Sequence, residues 1–337
     1  PELKKQIEEL YRKHPEEARD SFGEDPFEVK NILKYWVLSE KQEFHVIPTD
    51  TINIHIDKDA LLRSGIMLPK TIRHLKGEDL KDAIPDKLYI PLTDIRMLTK
   101  VDLLMLEMLA NCNWERPLYL AISVGSVSKL KFDNYFVQEG LAFRFTPFDY
   151  KKWGDADENR PYAVDVERLY DNVMNRYKYG GLNTPGLYLD ETTLRTCWYH
   201  RRLFAQLAKE LIIQGDLARA KKVLAYAEQA VPGYNVPETY ESGSYSIATA
   251  YAALGEKMKT ITLTEHLIAE AEDYINWAFS LKGNRMEMVR NDCIYKFWQW
   301  NQCNELLKKV DEERYKESNR RFEDKYALFA PNMGYKN

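Results

Sequence analysis

The chain has 337 residues, of which 45% are hydrophobic and 30% charged. That is long enough for two or three compact units and too apolar for disorder. A net charge of −4, with no Lys/Arg-dense run, leaves no footprint for nucleic acid. Uncharged stretches such as Pro117 to Ser128 fall well short of the roughly 20 apolar residues of a membrane span.

Residues 2 to 13 and 27 to 39 read as short amphipathic helices, with Asp25-Pro26 between them. In "TINIHID", Ile52, Ile54 and Ile56 alternate with Asn53 and His55, the period of a half-buried strand. "DKDALLRSG" follows as a short helix ending on Gly65, then "KLYIPL" (87–92) as a second strand. The helix over 99–111, "TKVDLLMLEMLAN", is apolar on most faces and is expected to be buried. "RPLYLAISV" (116–124) and "LAFRFTPF" (141–148) add two strands, the former expected mid-sheet. Strands alternating with helices predict a small α/β domain over 47–150, preceded by a helical segment over 1–46.

Residues 151–189 form a connector with one amphipathic helix, "DVERLYDNVMNRYK". Gly180 stands where that helix wants a residue of positive φ, and Asp190 reads as the N-cap of the next. In "KYGGLNTPGLYLDE" the glycines follow a helix instead of a strand. The helix that comes next opens on two carboxylates, which would repel a phosphate. "DADEN" (155–159) imitates a calcium loop. It lacks the glycine and the closing glutamate such a loop needs, since Arg160 and Val166 hold those places.

Residues 190–330 read as a tetratricopeptide-like helical domain. "FAQLAKELIIQGDLARAKKVLAYAEQAVP" places Phe204, Leu207, Ala208 and Leu211 on one helix, Gly215-Asp216 at the turn, and Ala220, Leu224 and Ala227 on the next. Forty residues on, Ile247, Ala248, Tyr251 and Gly255 repeat the first helix, while Thr260 and Thr264 replace Ala220 and Leu224. Beyond this the repeat signal fades.

No catalytic signature stands out, and no metal or cofactor site is expected. The cysteines, Cys112, Cys197, Cys293 and Cys303, form no Cys-x-x-Cys pattern and read as buried thiols. His200 reads as structural. In "NWERPLYLA", Trp114, Arg116 and Tyr119 could stack on a sugar ring or anchor a partner. The plainer alternative is that Trp114 fills a helix–strand junction and Arg116 pairs with a carboxylate.

Four segments agree in order and spacing with a known family: Asn113, Trp114, Arg116, Pro117 and Tyr119; Glu139 to Arg144; Gly180 and Gly181 with Tyr188, Asp190 and Glu191; then the Gly-Asp repeat. In that order they resemble the C-terminal soluble region of a large bacterial family of multi-pass membrane proteins. That family is similar to type C glycosyltransferases and related to an animal protein O-mannosyltransferase. The resemblance covers roughly residues 50 to 260. It implies a non-catalytic, extracytoplasmic region on the periplasmic face of the inner membrane. That region would position a protein or glycoprotein acceptor for the membrane-embedded part of the same polypeptide. The chain opens on Pro1 without a signal peptide, as expected of a piece of something longer. The candidate partner- or glycan-binding residues are Trp114, Arg116, Tyr119, Arg144, Tyr179, Tyr188 and Asp190. Alternatives are a free-standing helical-repeat scaffold binding a peptide or protein, and an independent glycan-acting enzyme.

Overall fold

A computed structural model describes residues 2–41, 45–124, 130, 132–158, 160, 162–282 and 284–330. The chain divides into two compact units, Pro1–Asp165 and Val166–Asn337. The architecture is mixed α+β with a helical C-terminal part.

In the first unit, α1 (Glu2–Lys13) and α2 (Pro15–Phe22) lead to α3 (Val29–Ile32), which runs on into a π-helical turn over Leu33–Val37. Then come β1 (Thr51–His55), α4 (Lys58–Arg63), α5 (Gly77–Ala83), β2 (Lys87–Pro91) and α6 (Lys100–Asn111). The unit closes with β3 (Tyr119–Ala121), β4 (Phe136–Gln138), β5 (Ala142–Phe145) and β6 (Ala163–Val164). Strand–helix alternation does not produce one parallel sheet. β1 and β2 pair antiparallel by themselves, and a second sheet has the order β3-β5-β4-β6, parallel only at β4–β6. One core nevertheless runs through both sheets, joining Val29 and Ile32 of α3, Ile52 and Ile54 of β1, Leu106 of α6 and Phe145 of β5.

Three expectations change here. β3 is an edge strand, and β5 occupies the middle of its sheet. Asn53 is buried, not solvent-facing, because its backbone N–H donates to Phe27 O (2.9 Å) and the α3 segment covers that face. Helix α6 is not wholly buried. Leu106, Leu109 and Ala110 face the core, while Val101, Leu104 and Met108 face solvent.

In the second unit, α7 (Val166–Asp171) ends in a π turn over Asn172–Arg176. The long helices follow: α8 (Glu191–Ile213), α9 (Leu217–Ala230), α10 (Ser244–Ala253), α11 (Lys257–Ser280), the short α12 (Asn284–Met288), α13 (Arg290–Val310) and α14 (Glu312–Phe329). The long helices pack largely in succession: α8 on α9 and α10, α10 on α11, α11 on α13, and α13 on α14. The tight turns of the α8–α9 and α10–α11 hairpins have the same build. Asp216 N–H donates to Leu211 O and Leu217 N–H to Gly215 O. Forty residues on, Glu256 donates to Tyr251 and Lys257 to Gly255. Gly215 and Gly255 sit at φ +81° and +73°, which a side-chain-bearing residue adopts only under strain. Ala208 and Ala220 are fully buried where helices cross closely, and Thr260 and Thr264 are fully buried in the second hairpin.

A buried arginine ties the α9–α10 connection to α8. Arg201 is 5% exposed, and its guanidinium donates to Pro237 O (2.7 Å), Ser242 Oγ (2.8 Å), Val231 O and Val236 O. Burial depresses its pKa to about 10, still charged at neutral pH.

Candidate functional site

In the first unit, α6 ends in a reversal whose two residues, Asn113 (φ +47°) and Trp114 (φ +60°), are left-handed without being glycine. Asn tolerates this; a bulky Trp does not unless its surroundings hold it. The holding contacts are clear. Trp114 is buried, its Nε1 donates to His55 O (2.7 Å), and its ring stacks 6.3 Å from Phe145. Asn113 Oδ1 accepts from Lys30 Nζ (2.9 Å). Trp114 therefore fills the junction of α6 with both sheets, and Arg116 stays exposed beyond it.

The next two candidates meet across the second sheet. Tyr119 and Arg144 are register partners between β3 and β5. Tyr119 Oη donates to Glu139 Oε2 (2.7 Å), and Arg144 Nη1 lies 3.6 Å from Glu139 Oε1. Arg144 also donates to Ser64 O (3.0 Å), Ser64 Oγ (2.8 Å) and Gly65 O (3.3 Å). With Glu139 at 4% and Arg144 at 3% exposure, this is an interior ion pair that straps the end of α4 to the sheet. The cavity between Ser64, Trp114, Arg116 and Arg144 holds about 10 Å³, room for roughly one water and no sugar ring.

In the second unit the candidates separate. Tyr179 is half-buried: its Oη donates to Val173 O (2.6 Å), and it packs 5.6 Å from Phe204 and 5.2 Å from His200. Burial raises its pKa. Tyr188, by contrast, is 87% exposed. Asp190 caps α8, accepting from the backbone N–H of Thr192 (2.9 Å) and Thr193 (3.1 Å). The Thr193 hydroxyl and these amides hold its carboxyl below the usual value. Gly180 does not close the preceding helix. That helix already ends at Arg176, with Tyr177 extended, and Gly180 (φ +61°) and Gly181 (φ +76°) shape the turns that follow.

The sequence reading passed over an aromatic ledge in the second unit. Tyr295 and Trp298 lie one turn apart on α13, stacked 5.5 Å apart with planes 13° from parallel, and each is almost half exposed. Tyr240 meets Trp298 edge-on (5.4 Å) and stacks on Tyr245 of α10 (5.0 Å). Beside them Lys296 Nζ donates to Glu270 (2.8 Å) and Glu241 (3.4 Å), and Gln299 Nε2 donates to Glu241 (2.6 Å). These polar groups hold Trp298 and Tyr240 in place and satisfy one another. "IYKFWQW" carried the signal, because only Phe297 and Trp300 of its aromatics are needed inside.

The remaining features are structural or empty of chemistry. All four cysteines are buried and free, and burial pushes the Cys303 thiol up to about 12. His200 sits edge-on to Tyr177 and Tyr179, and burial lowers its pKa. Asp155 accepts from Lys70 N–H and Arg73, leaving the calcium-like segment tied down as a connector; its Asn159 lies outside the described residues. Among the described residues no group of His, Cys, Asp or Glu could hold a metal ion, and no helix is long and apolar enough to cross a membrane.

Residues 4–166 match the family model of TMEM260-associated domain 2. Over that span, a little under half of the chain, the protein is similar to a TMEM260-related, glycosyltransferase-related family. The matched span follows the first compact unit closely, and the helical unit lies outside it. No curated protein and no solved structure matches the chain.

Proposed function

We propose that this chain is a non-catalytic, extracytoplasmic region of a membrane-bound glycosyltransferase-like protein. Its second unit is a tetratricopeptide-like scaffold that holds a protein or glycoprotein acceptor, or another subunit, beside the membrane-embedded part of the same polypeptide. The observation that carries the scaffold role is the ledge of Tyr240, Tyr245, Tyr295 and Trp298. Tyr295 and Trp298 are exposed and backed by the half-buried Tyr240 and Tyr245, and large rigid aromatic side chains presented in this way are the usual anchors of a binding surface. The repeated turns at Gly215 and Gly255, with the small buried residues that let α8, α9, α10 and α11 approach closely, support the tetratricopeptide-like reading. The TMEM260-related match supports the glycosyltransferase setting.

Within the first unit, Trp114, Tyr119 and Arg144 serve as its frame. Tyr188 and Arg116 remain as exposed candidates for contact.

The test has two readouts. A photo-crosslinking residue at position 295 in the native protein should trap a defined partner, and adding Trp298→Ala should abolish the adduct while the circular dichroism stays unchanged. An antibody to the chain should detect a membrane-associated band far larger than 39.6 kDa, clipped by protease from the periplasmic side. A band at that mass outside the membrane fraction would leave the free-standing scaffold in its place.

A further inference from the structure

Helix α6 carries a face that its own unit leaves uncovered. Val101 (47% exposed), Leu104 (60%) and Met108 (50%) are spaced three and four apart, and Met97 (70%), just ahead of the helix, extends the same apolar surface. A groove of about 730 Å³ of mixed character adjoins it, lined by Leu3, Val37, Met97 and Leu103 together with Asp50 and Arg96. Monomeric proteins seldom leave a contiguous apolar stripe of this kind to water.

The charges around the stripe select what covers it. Helix α6 has three charged side chains: Lys100, Asp102 and Glu107. Asp102 is fully buried and spent in the capping box with Thr99. Lys100 and Glu107 are both exposed, and among the described residues neither takes an ion pair. Seven residues apart, they stand on the same flank of the stripe. We infer that this face is a homodimer interface, in which α6 packs antiparallel against α6 of a second copy around a two-fold axis.

Such an interface is self-complementary: Val101 of one copy meets Leu104 of the other, and the reverse. The antiparallel arrangement sets Lys100 of each copy beside Glu107 of the other, so opposite charges flank the seam twice. A parallel pairing would put the two copies' Lys100 and Glu107 on opposite flanks, facing the uncharged Met105 and Cys112 positions, so neither charge would gain a partner. The inference concerns the first unit and does not depend on the scaffold role of the second.

Sedimentation equilibrium of the full chain over a concentration series tests it. The wild type should approach twice 39.6 kDa, and Leu104→Glu should stay monomeric with an unchanged helical spectrum, since the side chain is on the surface. Lys100→Glu should weaken the dimer about tenfold, roughly the 1.4 kcal/mol of one repelling pair made twice. Lys100→Glu combined with Glu107→Lys should restore wild-type affinity, which a merely structural role of either residue would not do. A wild type monomeric at its highest soluble concentration, or a double variant no tighter than Lys100→Glu, overturns the proposal. Vesicles of anionic phospholipid provide the contrasting arm: a monomer that pellets with them, and loses this through Leu104→Glu, would make the face a lipid contact instead.

Discussion

Arg144 shows how far one side chain's role depends on its surroundings. A guanidinium at a strand could greet a ligand, yet here it is enclosed with Glu139 and the backbone of Ser64 and Gly65. Removing one member strands the other in the interior, so Arg144→Met should cost roughly 3–5 kcal/mol in urea unfolding. Glu139→Gln should cost less, because the amide still accepts from Tyr119. His200 provides a pH signature. Its folded pKa lies below the ordinary 6.5 because burial disfavours the cation. The unfolded state therefore binds a proton first as pH falls, and stability is complete above about 6.5 and declines below it until the folded value is passed. Comparing wild type with His200→Phe between pH 7.5 and 5 should show a steeper acid loss in the wild type; parallel curves would refute the assignment. At this scale the sequence was legible where a residue's local grammar suffices, as for Asp190 as a cap and the cysteines as buried thiols. It was not legible for Trp114, whose left-handed backbone is stabilised by His55 and Phe145, 59 and 31 residues away in the chain.

Among the elements, the helical hairpins were readable because their requirements are local: small residues at crossings and glycine at positive φ in the turn. At Gly215 and Gly255 an added Cβ would meet nothing within 4 Å, so the penalty for alanine is purely conformational. Gly215→Ala and Gly255→Ala should each cost about 1–2 kcal/mol, measured by denaturant midpoint. Gly243→Ala should cost more than either, since its Cβ would also lie 2.8 Å from Arg202 Cγ. The sheets were harder to read. Strands of two to five residues carry too few alternations to reveal their partners, and β1 and β2 pair across 31 intervening residues. Helix α6 exposed a different limit. Apolar residues all round a helix predict burial, but pattern alone cannot distinguish a face covered by the same chain from one left for something else.

At the scale of the whole molecule, the chain forms two compact units, each with a core of its own. The helical unit has a self-contained interior built on Ile268, Ile275, Phe297, Trp300 and Phe329. Residues 166–337 expressed alone should therefore unfold in one cooperative transition by circular dichroism; a broad, non-cooperative melt would show that this core is insufficient. The Arg201 tether bears on how such a unit is made. The side chain lies on α8, but the acceptors that satisfy it belong to residues 231–242, up to 41 positions later in the chain. On the ribosome, α8 emerges with this cation still in water, and the site cannot close until Ser242 has followed. Synthesis thus imposes an order: the α8–α9 hairpin can form first, and the arrival of the next connection locks it to α10.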